Sequence, residues 1–142
     1  MAKRKKEELI LDLYNLVAKA SDTIKKMHAK HLISEKLTAP QFGVLDVLSK
    51  KGPLSLKQIS DELMVTGANI TCVMDNLEKD SLVKRVPSST DRRVINAELT
   101  NKGKQKIQKV YPDHVKHLSE LSKKLSDTEI KQLSNLLKKL AD

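Results

Sequence analysis

The hydrophobic periodicity of this chain changes only once. From residue 6 to residue 80, and again beyond residue 100, apolar residues recur at helical spacing. Between Leu82 and Leu99 they alternate instead, in two short runs separated by the polar, basic loop Pro87-Ser-Ser-Thr-Asp-Arg-Arg93. A chain that is helical except for one hairpin, set directly behind two short helices, has few folds open to it.

The helices can be placed from their stripes and caps. The first is expected from about Lys6 to Ile33, with Leu9, Leu13, Leu16, Val17, Ala20, Ile24 and Met27 on one side. A second opens at Thr38-Ala-Pro-Gln41, where Thr38 caps, Pro40 suits the first turn and Gln41 completes a capping box. Phe42, Leu45 and Leu48 line its inner face, and Lys50-Lys-Gly-Pro53 ends it. A third opens at Ser55-Leu-Lys-Gln58, another capping box, and buries Leu56, Ile59 and Leu63. After a tight turn at Met64-Val65, a fourth is capped by Thr66 and buries Ile70, Val73, Met74 and Leu77. Two short helices joined this way make a helix-turn-helix, though the same pattern also fits any small helical hairpin.

The hairpin that follows favours the first reading. Leu82–Val86 and Val94–Leu99 read as strands, with Ile95, Ala97 and Leu99 facing inward, and two adjacent arginines stand at the loop. Such a wing can lie along a duplex while a helix enters the major groove, and an arginine can reach the minor groove, where the potential is most negative. Two helices close the chain. One begins at Thr100 and runs to about Lys124, with Pro112 expected to kink it. The last is opened by a third capping box, Ser126-Asp-Thr-Glu129, and carries Ile130, Leu133, Leu136, Leu137 and Leu140.

Composition agrees with a nucleic-acid partner. The net charge is +9 and the isoelectric point about 9.6, which favours polyanions, nucleic acid before an anionic membrane surface. Two Tyr, one Phe and no Trp speak against a single-strand binder built on stacking aromatics. A single cysteine excludes an intramolecular disulfide and a Cys-based zinc finger. No apolar run has the length of a membrane span, so a cytoplasmic protein that does not bind membranes is expected. There is no phosphate-binding glycine loop and no nucleophile–base motif, so an enzyme is not expected.

The outer face of the fourth helix is unusual. Gly67, Ala68, Asn69, Thr71, Cys72, Asp75 and Asn76 are small or polar, where solvated helices carry long Lys, Glu and Arg. A face kept short lets something large approach. The helix N-terminus brings free N–H groups and a positive dipole end suited to phosphate, and Asn can pair bidentately with adenine. Thr66, Gly67, Ala68, Asn69, Thr71 and Cys72 are therefore candidate DNA contacts, with Lys84, Arg85, Arg92 and Arg93 from the hairpin. Asp91 is expected to partner an arginine rather than DNA, since a carboxylate facing phosphate is repelled. The basic run Lys3 to Lys6 is a further candidate, although such termini are commonly only solvated.

The segments NITCVMDNLEKDSLVKR, STDRRVINAELTNKGK and YPDHVKHLSELSKKLSDTEIKQLSNLLKKL resemble the multiple-antibiotic-resistance regulator (MarR) family of transcription factors. Asp91-Arg92-Arg93, then Leu99-Thr100 and Gly103, match the family's wing signature. Ile70-Thr71, Asp75, Leu77-Glu78 and Pro112-Asp-His114 are similar to the branch that includes repressors responding to quinones and other electrophiles. Ser81 departs from the pattern, since many members have Gly there. The resemblance implies a mainly α fold with a small β-wing: a winged helix-turn-helix at 38–100 between an N-terminal dimerisation helix at 1–37 and C-terminal dimerisation helices at 101–142. It also implies a homodimer on a pseudo-palindromic operator and a small-molecule inducer, for which Tyr14, Met27, Phe42, Tyr111 and His114 are candidate lining residues, as open to an ordinary core role. The long stripes agree, because the region from Thr38 to Thr100 is too small to bury them. A sequence-nonspecific DNA-compacting protein is the alternative function.

Cys72, near a helix N-terminus, is a candidate reactive thiol, or simply a small residue. His28 with His31, and His114 with His117, are each spaced to share a helical face, but neither pair has a third ligand clearly spaced to complete a metal site. No metal or cofactor is expected.

Overall fold

The computed structural model describes residues 2–142. Its elements run α1 (Ala2–Ile33), α2 (Ala39–Lys51), β1 (Leu54–Ser55), α3 (Leu56–Leu63), α4 (Gly67–Lys79), β2 (Val83–Pro87), β3 (Ile95–Leu99), α5 (Asn101–Ser122) and α6 (Asp127–Ala141). The three capping boxes form as their sequences require. The Thr38 hydroxyl accepts from the Gln41 amide at 3.3 Å while the Gln41 side chain accepts from the Thr38 amide at 3.0 Å, and Ser55/Gln58 and Ser126/Glu129 repeat the pattern. Each satisfies two backbone donors that a helix start leaves without partners. α5 continues through Pro112 to Ser122.

The strands make one antiparallel sheet in the order β1-β3-β2. β2 and β3 pair from Val83↔Leu99 to Pro87↔Ile95, as a hairpin should. β1 adds a third strand that the sequence did not disclose, pairing Leu54 with Ala97 and Ser55 with Asn96. Two residues are too few to show a period, and Ser55 is at once strand residue and cap of α3. Ala97 is fully buried, but Ile95 is 40% exposed rather than turned into the core. It sits at the wing end of the ladder, beyond the helices that cover Ala97.

The core gathers Phe42, Val44, Leu45 and Leu48 of α2, Ile59 of α3, Ile70, Met74 and Leu77 of α4, and Val83 and Ala97 of the sheet. It also takes Leu32 from α1, and Ile107 and Val110 from α5. N-terminal to Met27, α1 is left almost entirely uncovered, while Met27, His28 and His31 are half-buried. Leu9, Leu13, Leu16, Val17 and Ile24 are exposed, as are Leu133, Leu136, Leu137 and Leu140 of α6, which buries no residue at all within the chain. Contiguous apolar surface of this extent, set on two long helices, belongs to an interface.

Candidate nucleic-acid interface

α4 presents two faces. Ile70, Val73, Met74 and Leu77 are buried, and Gly67, Ala68, Asn69, Thr71, Cys72, Asp75 and Asn76 are exposed. At its start the Thr66 hydroxyl accepts from the Asn69 amide at 3.2 Å, and the first intrahelical bond runs from the Ile70 amide to the Thr66 carbonyl. The amides of Gly67 and Ala68 precede that bond and point out along the helix axis. Thr66 is therefore a cap first. Thr71 donates its hydroxyl proton back to the Gly67 carbonyl at 3.0 Å, leaving its oxygen free to accept and its methyl free to touch a base. A Cβ built on Gly67 would meet nothing within 4 Å, so the packing of this chain does not demand a glycine there.

The wing tip is held by its own residues. The Asp91 carboxylate accepts from the Arg93 amide at 3.0 Å and from the Arg93 guanidinium at 3.2 and 3.3 Å. These bonds, the side-chain ones first, draw the Asp91 carboxyl below its usual range. The Ser88 amide bonds to the Val94 carbonyl at 2.9 Å and closes the loop. Asp91 thus partners an arginine, and Arg93 is tethered although its side chain is 90% exposed. Arg92 is exposed, and among the described residues no carboxylate forms an ion pair with it.

The two strand cations have protein partners. Lys84 bridges to Glu98 of β3 at 2.9 Å, across the ladder. Arg85 reaches back to α4, where it bonds Asp75 at 2.7 Å and also Glu78. Hydrogen bonding to Asp75 first, then Glu78, strengthens its cationic form. The sequence could not show these pairs, since Asp75 and Glu78 precede Arg85 by ten and seven residues.

A third set of contacts fixes α4 against α5. Ser81 turns left-handed with φ 60°, and the Thr100 hydroxyl donates to its carbonyl at 2.6 Å while accepting from the Gly103 amide at 3.0 Å. A Cβ at Gly103 would fall 1.9 Å from the Leu82 carbonyl oxygen, so α5 can approach this closely only through a glycine.

The candidate ligand residues divide. Phe42, His114 and Tyr111 meet between α2 and α5, with ring centres 4.5 Å apart for Phe42–His114 and 6.3 Å for Tyr111–His114. Lys50 lies over the Tyr111 ring at 5.5 Å, and a cleft of about 400 Å³ opens beside them against Asp46, Ser49 and Pro112. Met27 is half-buried on the facing part of α1. Tyr14 is 70% exposed and sits about 20 Å farther along the same helix, at 1.5 Å per residue, so one chain does not bring it to this place. Among the described residues no three His, Cys, Asp or Glu side chains are placed to hold one metal ion, and no helix is long and apolar enough to cross a membrane.

A model of the MarR family matches residues 37–95, the stretch from just before α2 to the first residue of β3. The HTH-type transcriptional regulator MhqR of Bacillus subtilis is 35% identical over 123 residues, covering 87% of this chain and 85% of that protein. The chain belongs to the MarR family. A crystal structure of an E. coli MarR variant complexed with operator DNA superposes with a TM-score of 0.86 at 25% identity, covering 94% of this chain and 96% of that one. The transcriptional regulator BldR of Sulfolobus solfataricus superposes at 0.83 with 28% identity, over 94% and 96%. This MarR-family chain is a sequence-specific, DNA-binding transcriptional regulator with a winged helix-turn-helix.

Proposed function

We propose that the protein acts in the cytoplasm as a homodimeric repressor on a pseudo-palindromic operator. The observation that carries this reading is the small exposed face of α4 beside an arginine-tipped wing, on a chain whose α1 and α6 leave long apolar faces uncovered. Pairing those helices across a two-fold axis sets two copies of α4 about 34 Å apart, one helical turn of DNA. Gly67 and Ala68 offer amides to phosphate, Asn69, Thr71 and Cys72 face base edges, and Arg92 enters the minor groove. In the division 1–37, 38–100 and 101–142, the outer segments dimerise and the middle one reads DNA. A small molecule entering beside Phe42, Tyr111 and His114 shifts the two heads apart and releases the operator, since a ligand moves an equilibrium only by preferring one state. An electrophile reaching Cys72 does so directly, by adding bulk on the DNA face. If Cys72→Ser still loses DNA on quinone treatment, that second route is wrong.

The test is a competition titration. Labelled duplex from upstream of the protein's own gene is bound at physiological salt and challenged with scrambled duplex. Specific binding persists at about 10³-fold excess competitor. Equal competition for this and for every genomic site recovered by a binding search overturns the specific-repressor reading in favour of nonspecific DNA coating.

A further inference from the structure

Every histidine of the chain lies in one place. His28 and His31 come from successive turns of α1, and His114 and His117 from successive turns of α5. The ring centres of His28 and His114 are 4.6 Å apart, those of His31 and His117 4.1 Å, and those of His31 and His114 6.5 Å. Phe42 of α2 closes one end, edge-on to His28 at 5.1 Å. The Nε2 atoms of His28 and His31 are buried without a hydrogen-bond partner, an uncommon state for buried polar atoms. Rings packed this way tolerate neutral imidazole. His28, His31 and His114 are half-buried and His117 is exposed, so a proton on one of the inner rings sets a cation against its neighbours with only part of its hydration.

We propose that this four-histidine cluster is a proton-sensitive joint: on mild acidification its rings charge, α1 and α5 separate, and the head that carries α4 leaves the position that reads specific DNA. The groups around the cluster offer little compensation. On α2, Asp46 favours and Lys50 disfavours charge on His114, and these two already bridge each other at 2.9 Å. In the turn that follows α1, Glu35 is held by Lys106 and Lys109 of α5. On α5, Tyr111 stands 6.3 Å from His114, Glu120 near His117 is paired with Lys123, and Asp113 and Lys116 are exposed.

The sign of the pH effect follows. Burial first, then the proximity of His31, holds His28 below the ordinary imidazole range; burial, then His28 and His31, does the same to His114. Groups held low in the packed state take protons more readily once the helices part. Packing is therefore intact above the ordinary value of about 6.5 and is lost as the pH falls below it towards the lowered values.

The proposal rests on the reading of the chain as a specific DNA-binding dimer, and two readouts keep the failures apart. The first is an NMR titration of the imidazoles in the free protein, with a chelator present. His28 and His114 titrating below the ordinary imidazole range supports the joint, and ordinary titration of both overturns it. The second is the competition titration at pH 7.5 and 5.8. Specific affinity is expected to weaken about tenfold in acid, against the general trend, since a more cationic protein binds DNA more tightly. His28→Gln/His31→Gln and, at the more exposed end, His31→Gln/His117→Gln are each expected to keep operator binding at pH 7.5 and flatten the response. An acid loss unchanged in both pairs overturns the proposal, as does a loss that needs added zinc at constant pH. Lowered titration without specific binding at any pH upholds the joint and overturns its link to DNA. Should both pairs fail to fold, the wild-type titration decides.

Discussion

At the scale of single residues, the proposed interface on α4 includes exposed positions whose identity the chain's own packing does not require. Gly67 is the clearest, because a side chain there meets no protein atom. Gly67→Ala should hold or raise thermal stability, by up to about 1 kcal/mol for replacing a helical glycine, while specific operator affinity falls about tenfold. A melting curve beside the competition titration checks both halves, and unchanged affinity removes Gly67 from the contact surface. Arg85 illustrates the opposite case. Its guanidinium is spent on Asp75 and Glu78, so it fixes the angle between the wing and α4. Asp75→Asn/Glu78→Gln distinguishes the roles. If Arg85 touched phosphate, freeing it would strengthen binding to every duplex with preference kept. As a positioner, it should lose about tenfold in the ratio of operator to scrambled binding, non-additively with Arg85→Gln.

At the scale of elements, the local rules were legible and the long-range ones were not. Thr38, Ser55, Thr66 and Ser126 could be read as caps because each signal sits within four residues of the bond it makes. The α4 stripe was equally plain. β1 was hidden by its length, the Arg85 clamp by sequence separation, and the histidine cluster by the register of α1 against α5, which no local pattern states. Of the candidate interface, the small face and the wing arginines could be read from sequence, whereas which arginine is tethered depended on the turn at Asp91. The junction of α4, the wing and α5 makes its own prediction. Gly103→Ala forces a methyl onto the Leu82 carbonyl, and should destabilise the protein by about 1–3 kcal/mol or more, read as a lowered urea midpoint. A midpoint within error of wild type would mean that α5 can back away freely.

At the scale of the whole molecule, two long helices carry apolar faces that one chain cannot cover. Leu133→Lys/Leu137→Lys should keep helical content, convert the protein to a monomer in sedimentation, and abolish tight binding to a two-half-site operator, because each half-site alone loses the avidity of linkage. A dimer that persists would place the interface elsewhere. The net charge of +9 adds a sequence-independent attraction whose strength falls with salt. Affinity for scrambled duplex should therefore drop more steeply with ionic strength than the preference for operator does.

The borrowing of Leu32 from α1, and of Ile107 and Val110 from α5, bears on modularity. A segment cut at residues 38 and 100 keeps α4 and the wing but leaves behind four core side chains, these three and Leu37. The DNA-reading part is thus no transplantable cassette. Moved by gene fusion without its flanking helices, that segment is expected to lose stability, since its core is completed from both sides.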